Sequence, residues 1–251
     1  MLTNTLAQNF FSYFEVVIAD TKDLREESYR IRHNVYSQEL GWEPTTESGF
    51  ETDECDGYAI PLLLKHKTSG QFAGTVRLVV PPKDQLEKQL PFELHCIESV
   101  RKDLVDPKQL ERGMFGEISR LAVPATFRKR KGEQEQAFII NDMQHPPPFT
   151  EDERRNFPNI AIGLYLSVIA MCDLLGHSHM FVVVEPRLAR RLSRLGINFT
   201  QVGNELDYHG IRALFVLERE NFSSKLSVEM LEMYVLVKSS MQSQMTALNM
   251  L

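Results

Sequence analysis

The chain has 251 residues, 43% of them hydrophobic and 25% charged, with a formal net charge of −6. That composition suits a soluble globular protein with a core to bury, and it lacks the broad basic field that draws nucleic acid. Nucleic-acid binding is therefore set aside. The three cysteines, Cys55, Cys96 and Cys172, are odd in number and far apart, and the seven histidines show no ligand spacing. No metal site is expected, and free thiols fit a reducing compartment. The segment MLTNTLAQNFFSYF has no basic stretch ahead of a long apolar run, so it does not read as a signal peptide. The longest apolar run, Ile160–Met171, falls short of the ~20 residues that span a bilayer. A cytoplasmic location is the expectation.

In chain order, Phe14–Ile18 (FEVVI) predicts a strand. Residues 20–23 offer helix caps, and Leu24–Leu40 predicts a helix ended by Gly41. Glu43–Asp56 holds six acids and no base, which predicts an acidic loop. Ala59–His66 and Phe72–Val80 predict two strands joined by a Thr68-Ser69-Gly70 turn and stopped at Pro81-Pro82. Residues 93–111 are irregular, with room for one helix, and Gly116–Val123 predicts another strand. Residues 128–158 predict a long, partly mobile loop insertion, opening on Arg128–Lys131 and passing through Pro146-Pro147-Pro148. Asn159–Leu175 predicts a buried helix closed by Gly176, and Met180–Val184 a buried strand. A basic helix, Arg187–Leu195, ends at Gly196, and strands follow at Phe199–Val202 and Ile211–Leu217. The tail places Leu226, Met230, Met233, Val237, Met241 and Met245 three or four apart, the mark of an amphipathic helix. Residues 1–222 are read as one domain and 223–251 as a C-terminal helix.

Eight polar or aromatic residues carry the candidate chemistry. Arg32 and Tyr36 are four apart and share a helix face, and Trp42 is the only tryptophan. By themselves they read as a surface arginine and two packing aromatics. Asp53 and Asp56 read as loop charges in solvent or, with cations nearby, as a desolvated network for a cationic amine. Glu51 and Glu54 are taken as solvated neighbours. Arg77 sits among Val76, Leu78, Val79 and Val80, and a buried arginine there needs a carboxylate. Glu117 and Arg120, in GEISRL, are three apart and point to opposite faces of a regular strand, so a bulge is needed to bring them together. Glu117 is the candidate general base and Arg120 its electrostatic partner, a structural ion pair being the alternative. The basic run Arg128, Lys129, Arg130 and Lys131 suits an anionic partner or a solvated loop, and Arg187, Arg190, Arg191 and Arg194 extend that charge.

The order and spacing of these residues resemble the acyl-homoserine-lactone synthase family. That family has an arginine, an aromatic four later, a tryptophan six after that, and an Asp pair eleven and fourteen further on, as here. Tyr36 stands where the family usually has Phe. The resemblance implies the GNAT acyltransferase fold, an α/β (α+β) architecture with a single mixed sheet and helices on both faces. It implies that Arg32, Tyr36, Trp42, Asp53, Asp56 and Arg77 bind substrate and that Glu117 and Arg120 are catalytic. It also implies that residues 128–131 meet a carrier protein or its phosphopantetheine. The usual Q/R-x-x-G-x-G/A loop of GNAT enzymes has no clean counterpart here, which weakens ordinary acetyl-CoA use.

The insertion and the Met-rich tail look more like acyltransferases associated with PEP-CTERM/exosortase systems and the long-chain N-acyl amino acid synthases. The implied activity moves a long-chain acyl group from an acyl carrier protein or CoA thioester to the amine of an amino acid or similar small molecule. Acyl-ACP or acyl-CoA is then the donor, and no bound cofactor is expected. The alternatives are a lactone synthase using S-adenosylmethionine, a generic acetyl-CoA enzyme, and a non-catalytic lipid- or partner-binding module. For the C-terminal helix the options are closing the core, sealing an acyl tunnel, pairing subunits and peripheral membrane contact.

Overall fold

The apolar runs of the first half become four strands lying side by side in chain order. They are β1 (Phe14–Ile18), β2 (Ala59–His66), β3 (Phe72–Val79) and β4 (Phe115–Ala122), each antiparallel to the next. The computed structural model describes residues 5–128 and 149–251. After β4 the chain crosses over through α4 (Glu151–Asn156) and α5 (Ile160–Leu174) to β5 (His179–Val184). A helical crossover delivers a parallel neighbour, and β5 is parallel to β4. The return strand β8 (Ile211–Glu218) is antiparallel to β5 and carries the two-residue strands β6 (Thr200–Gln201) and β7 (Leu206–Asp207). The expected strand Phe199–Val202 thus survives only at its centre.

Alternation along the strands divides the sheet into two faces. Val76, Leu78, Ile118 and Val182 belong to the main core with α5, α1 (Leu6–Tyr13) and α7 (Val228–Ala247). Thr75, Arg77, Val79 and Glu117 point the other way, towards α2 (Lys22–Arg32) and α3 (Pro91–His95). Thr21 caps α2 by accepting from the Leu24 N–H, and Ser28 pins it to the sheet through Thr75 Oγ1 at 2.7 Å. The helix expected to run to Leu40 instead widens at Arg32 into a π-helical segment, His33–Glu39. Leu40 N–H accordingly bonds Val35 O at 3.1 Å, five residues back. Such widening rotates everything that follows it. Arg32, at the end of α2, is buried against the sheet face, and Tyr36, inside the widened segment, lines a cavity.

The expected insertion is folded at its far end. Residues 129–148, which hold most of it and the mobility expected there, lie outside the described residues. Thr150 and Glu153 form a reciprocal cap that starts α4. Glu153 is buried and lies 3.4 Å from His66 Nε2, beside a cluster of Phe127, Phe149 and Phe157. The stretch Glu151–Leu174 is long and apolar enough to cross a membrane, yet 67% of its most apolar window is buried in the protein.

Helix α7 buries Met230, Met233, Val237, Met241 and Met245 in the core. Its Gln244 amide donates to Val16 O at 2.8 Å and accepts from Ile18 N–H at 3.0 Å, satisfying edge strand β1.

Candidate active site

Three arginines and three carboxylates form a closed ring on the α2 side of the sheet. Arg32, fully buried, donates through Nε to Glu51 and through both terminal nitrogens to Asp56 at 2.6 and 2.9 Å. Asp56 also accepts from Arg77 at 2.7 Å, and Arg77 grips Asp53 with two bonds of 2.6 Å. Arg120 closes the circuit, reaching Glu51 at 3.0 Å and Asp53 at 3.1 Å. Each carboxylate thus joins two guanidiniums, and the ring is neutral overall. Burial opposes the charge on Asp53, but Arg77 outweighs it and holds the carboxyl down at about 2. Asp56 is held low in the same way, by Arg32 and then Arg77. Glu51, expected in solvent, is buried at 6% exposure, while Glu54 is exposed. The signal for Glu51 was charge arithmetic: three arginines need a third carboxylate if all are buried.

Arg120 reaches the ring through a break in β4. Thr75 pairs with Ala122 but Arg77 pairs with Ser119, so Arg120 and Leu121 share one partner position, and Arg120 has φ +53°. This is the bulge that the spacing of Glu117 and Arg120 called for. Ser119 Oγ accepts from Arg77 Nε at 2.9 Å, which ties the bulge to the ring.

Beside the ring, β4 and β5 part. Their ladder ends at Ile118 and Val182, while β4 continues to Ala122 and β5 to Val184. A cavity of about 240 Å³ opens there. Tyr36, Trp42, Asp53, Glu117 and Arg120 line it, whereas Arg32, Asp56 and Arg77 stand behind it. Glu117 is 2% exposed and accepts from Phe92 N–H at 2.7 Å. Burial pushes its carboxyl up to about 8, against the Phe92 N–H and the Arg77 charge, which favour ionisation. Burial likewise pushes the Cys96 thiol up to about 11 and the Tyr36 phenol up to about 12. The Tyr36 hydroxyl donates to Leu121 O at 2.7 Å.

The opposite wall holds residues that the sequence reading passed over. The Trp42 indole stacks between Tyr36 and His209, with ring centroids 5.9 and 5.7 Å apart. Arg212 lies over Trp42 at 5.0 Å and over Tyr208 at 5.9 Å. A second, more apolar cavity of about 530 Å³ shares Tyr36, Trp42 and Leu121 with the first and runs towards Phe127, Phe157 and Ala161. Arg128 and Arg154 are on its wall, and Arg128 pairs with Glu39. Lys129, Arg130 and Lys131 lie outside the described residues. Arg187, Arg190, Arg191 and Arg194 are exposed on and just after α6 (Pro186–Ser193).

A mixed sheet with one parallel pair, parted beside a bulged fourth strand, is a particular architecture. Residues 31–135 match the acetyltransferase (GNAT) domain family, and those residues include β2, β3, β4 and every member of the ring. The chain has the GNAT fold. It superposes on the AHL synthase LasI with a TM-score of 0.59 at 15% identity, over 87% of this chain and 94% of LasI. BjaI, a CoA-dependent acyl-homoserine lactone synthase solved with SAM and isopentyl-CoA, gives 0.56 at 15% identity over 92% and 89%. FeeM, an N-acyl amino acid synthase from uncultured soil microbes, gives 0.54 at 14% identity over 85% and 94%. No curated protein matches the sequence. Within this GNAT fold, the matched region supplies the ring and Glu117, and the Tyr208–Arg212 wall lies beyond it.

Proposed function

We propose that this protein is an N-acyltransferase that moves a long acyl chain from a carrier-protein or CoA thioester to the amine of an amino acid or similar small molecule. Glu117 carries the reading. A buried carboxyl held near 8 on a cavity wall is tuned to take a proton near neutral pH. The amine nitrogen bonds to the thioester carbonyl carbon, and its proton passes to Glu117, directly or through water. The C–S bond then breaks and the thiol leaves with a proton. Backbone N–H groups where β4 and β5 part are suited to the oxyanion. Asp53, charged at neutral pH and paired with Arg77 and Arg120, is the ring carboxylate on the cavity wall and offers its oxygens as hydrogen-bond acceptors for the incoming ammonium. Arg77, Arg32 and Asp56 hold Asp53 and Arg120 in position from behind.

The larger apolar cavity suits the acyl chain, with Arg128 and Arg154 for a donor phosphate and the exposed arginines of α6 for an acidic carrier protein. Lactone synthesis from S-adenosylmethionine is the second reading, favoured by the buried ring, in which every member but Glu51 belongs to that resemblance. The deciding experiment incubates purified protein with acyl-CoA or acyl-ACP and either mixed amino acids or S-adenosylmethionine. Products are read by mass spectrometry beside Glu117→Gln. An N-acyl amino acid supports the first reading, and an acyl lactone with methylthioadenosine supports the second. Thioester left intact with every acceptor overturns both.

A further inference from the structure

The ring consumes every charge it contains, and it leaves one guanidinium on the cavity wall unaccounted for. Arg120 lines the cavity with two carboxylate partners, Glu51 and Asp53. Arg212 lines the same cavity, pairs with no carboxylate among the described residues, and has a buried Nε without a hydrogen-bond partner. Its contacts are flat ones, with Trp42 and Tyr208. Aromatic faces compensate part of the cost of desolvating a cation but leave its N–H groups unmet. Tyr36, Tyr165 and Cys96 line the same cavity as Arg212. A planar guanidinium with unmet N–H groups matches a carboxylate, which it binds through two parallel bonds. Asp53 and Glu117 line the same cavity and supply carboxyl oxygens for the amine end.

We propose that Arg212 is the carboxylate-binding residue for the acceptor, so that the acylated amine carries a carboxylate close to its nitrogen. This rests on the N-acyltransfer reading and narrows it. The ammonium faces Asp53 and Glu117, the carboxylate meets Arg212, and the Trp42–His209 stack bounds the space between.

Trp42 is the only tryptophan, so intrinsic fluorescence reports on this wall alone. Purified full-length protein is titrated with a panel of amino acids, each paired with its carboxamide, and separately with CoA. Saturable quenching by an amino acid, at least about tenfold weaker with its carboxamide, is expected. Arg212→Gln should abolish that preference, and Arg212→Lys should keep part of it. In turnover with the same pairs, the loss should fall on KM rather than kcat. Equal affinity of the native protein for acid and amide, or no quenching by any pair, overturns the proposal. An undiminished preference in Arg212→Gln also overturns it, as does a CoA signal that depends on Arg212 while the amino-acid signal does not. Arg212-dependent amino-acid binding without acyl transfer would uphold this assignment and sink the N-acyltransfer reading. Transfer to acids and amides alike would do the reverse.

Discussion

Glu51 and Arg120, 69 residues apart in the chain, meet through a 3.0 Å hydrogen bond that closes the charged ring. Because Glu51 also accepts from Arg32, its loss leaves two guanidiniums short of a partner, one of them fully buried. Breaking such a pair from one side costs about 3 kcal/mol or more. Glu51→Gln should therefore lower unfolding free energy by about that amount in urea titration, whereas Glu54→Gln, in solvent, should shift it by less than about 0.5 kcal/mol.

Glu117 gives a pH test with two signs. The carboxyl is held near 8, so kcat/KM should climb with pH through about 8 and then level. Glu117→Gln should lose that limb and fall by about 10²- to 10⁴-fold. Stability runs the other way. The folded protein keeps the Glu117 proton that the unfolded chain releases above its ordinary pKa of 4.5, so this group's contribution falls as pH rises from 4.5 to 8. Glu117→Gln should thus be more stable than the native protein at pH 8 and lose that advantage at pH 4.5, as read by thermal melts.

The strands were legible because β-branched and apolar alternation needs no tertiary knowledge, whereas the bulge was required only once Glu117 and Arg120 were both assigned to one site. The π-helical turn was not legible, since HNVYSQE carries no local mark that separates it from α-helix. Glu51 was read as a loop charge in solvent because burial is decided by cations that arrive from Arg32 and Arg120, far away in sequence. Arg212 could have been found. It sits in IRALFVLE, an apolar strand, just as Arg77 sits in its own, and the argument that flagged one applied to the other.

Gly196 closes the turn after α6 with φ +88°, and a Cβ there would lie 2.0 Å from Lys225 O. Neither the backbone conformation nor the contact admits a side chain. Gly196→Ala should cost at least about 2 kcal/mol and lower the melting temperature, while Gly70→Ala, with open space around it, should cost less.

His177 sets an acid limit. Burial, then the charge of Arg219, depresses its pKa from 6.5 to about 4, with only the Gly113 backbone opposing. The unfolded chain takes up that proton first as pH falls below 6.5, so stability should drop by about 3 kcal/mol between pH 6.5 and 4. Denaturant midpoints across that range should fall less steeply in His177→Gln.

The ladder between β4 and β5 has four residue pairs, and it is where the two halves of the sheet join. Everything charged in the ring, and Glu117 with it, comes from residues before this seam. The Val182–Leu188 and Tyr208–Arg212 walls come from residues after it. On the roles proposed above, the proton acceptor and the carboxylate-binding arginine therefore come from separate stretches of the chain. Substitutions after residue 179 would then reshape the carboxylate end of the cavity without touching the ring or Glu117.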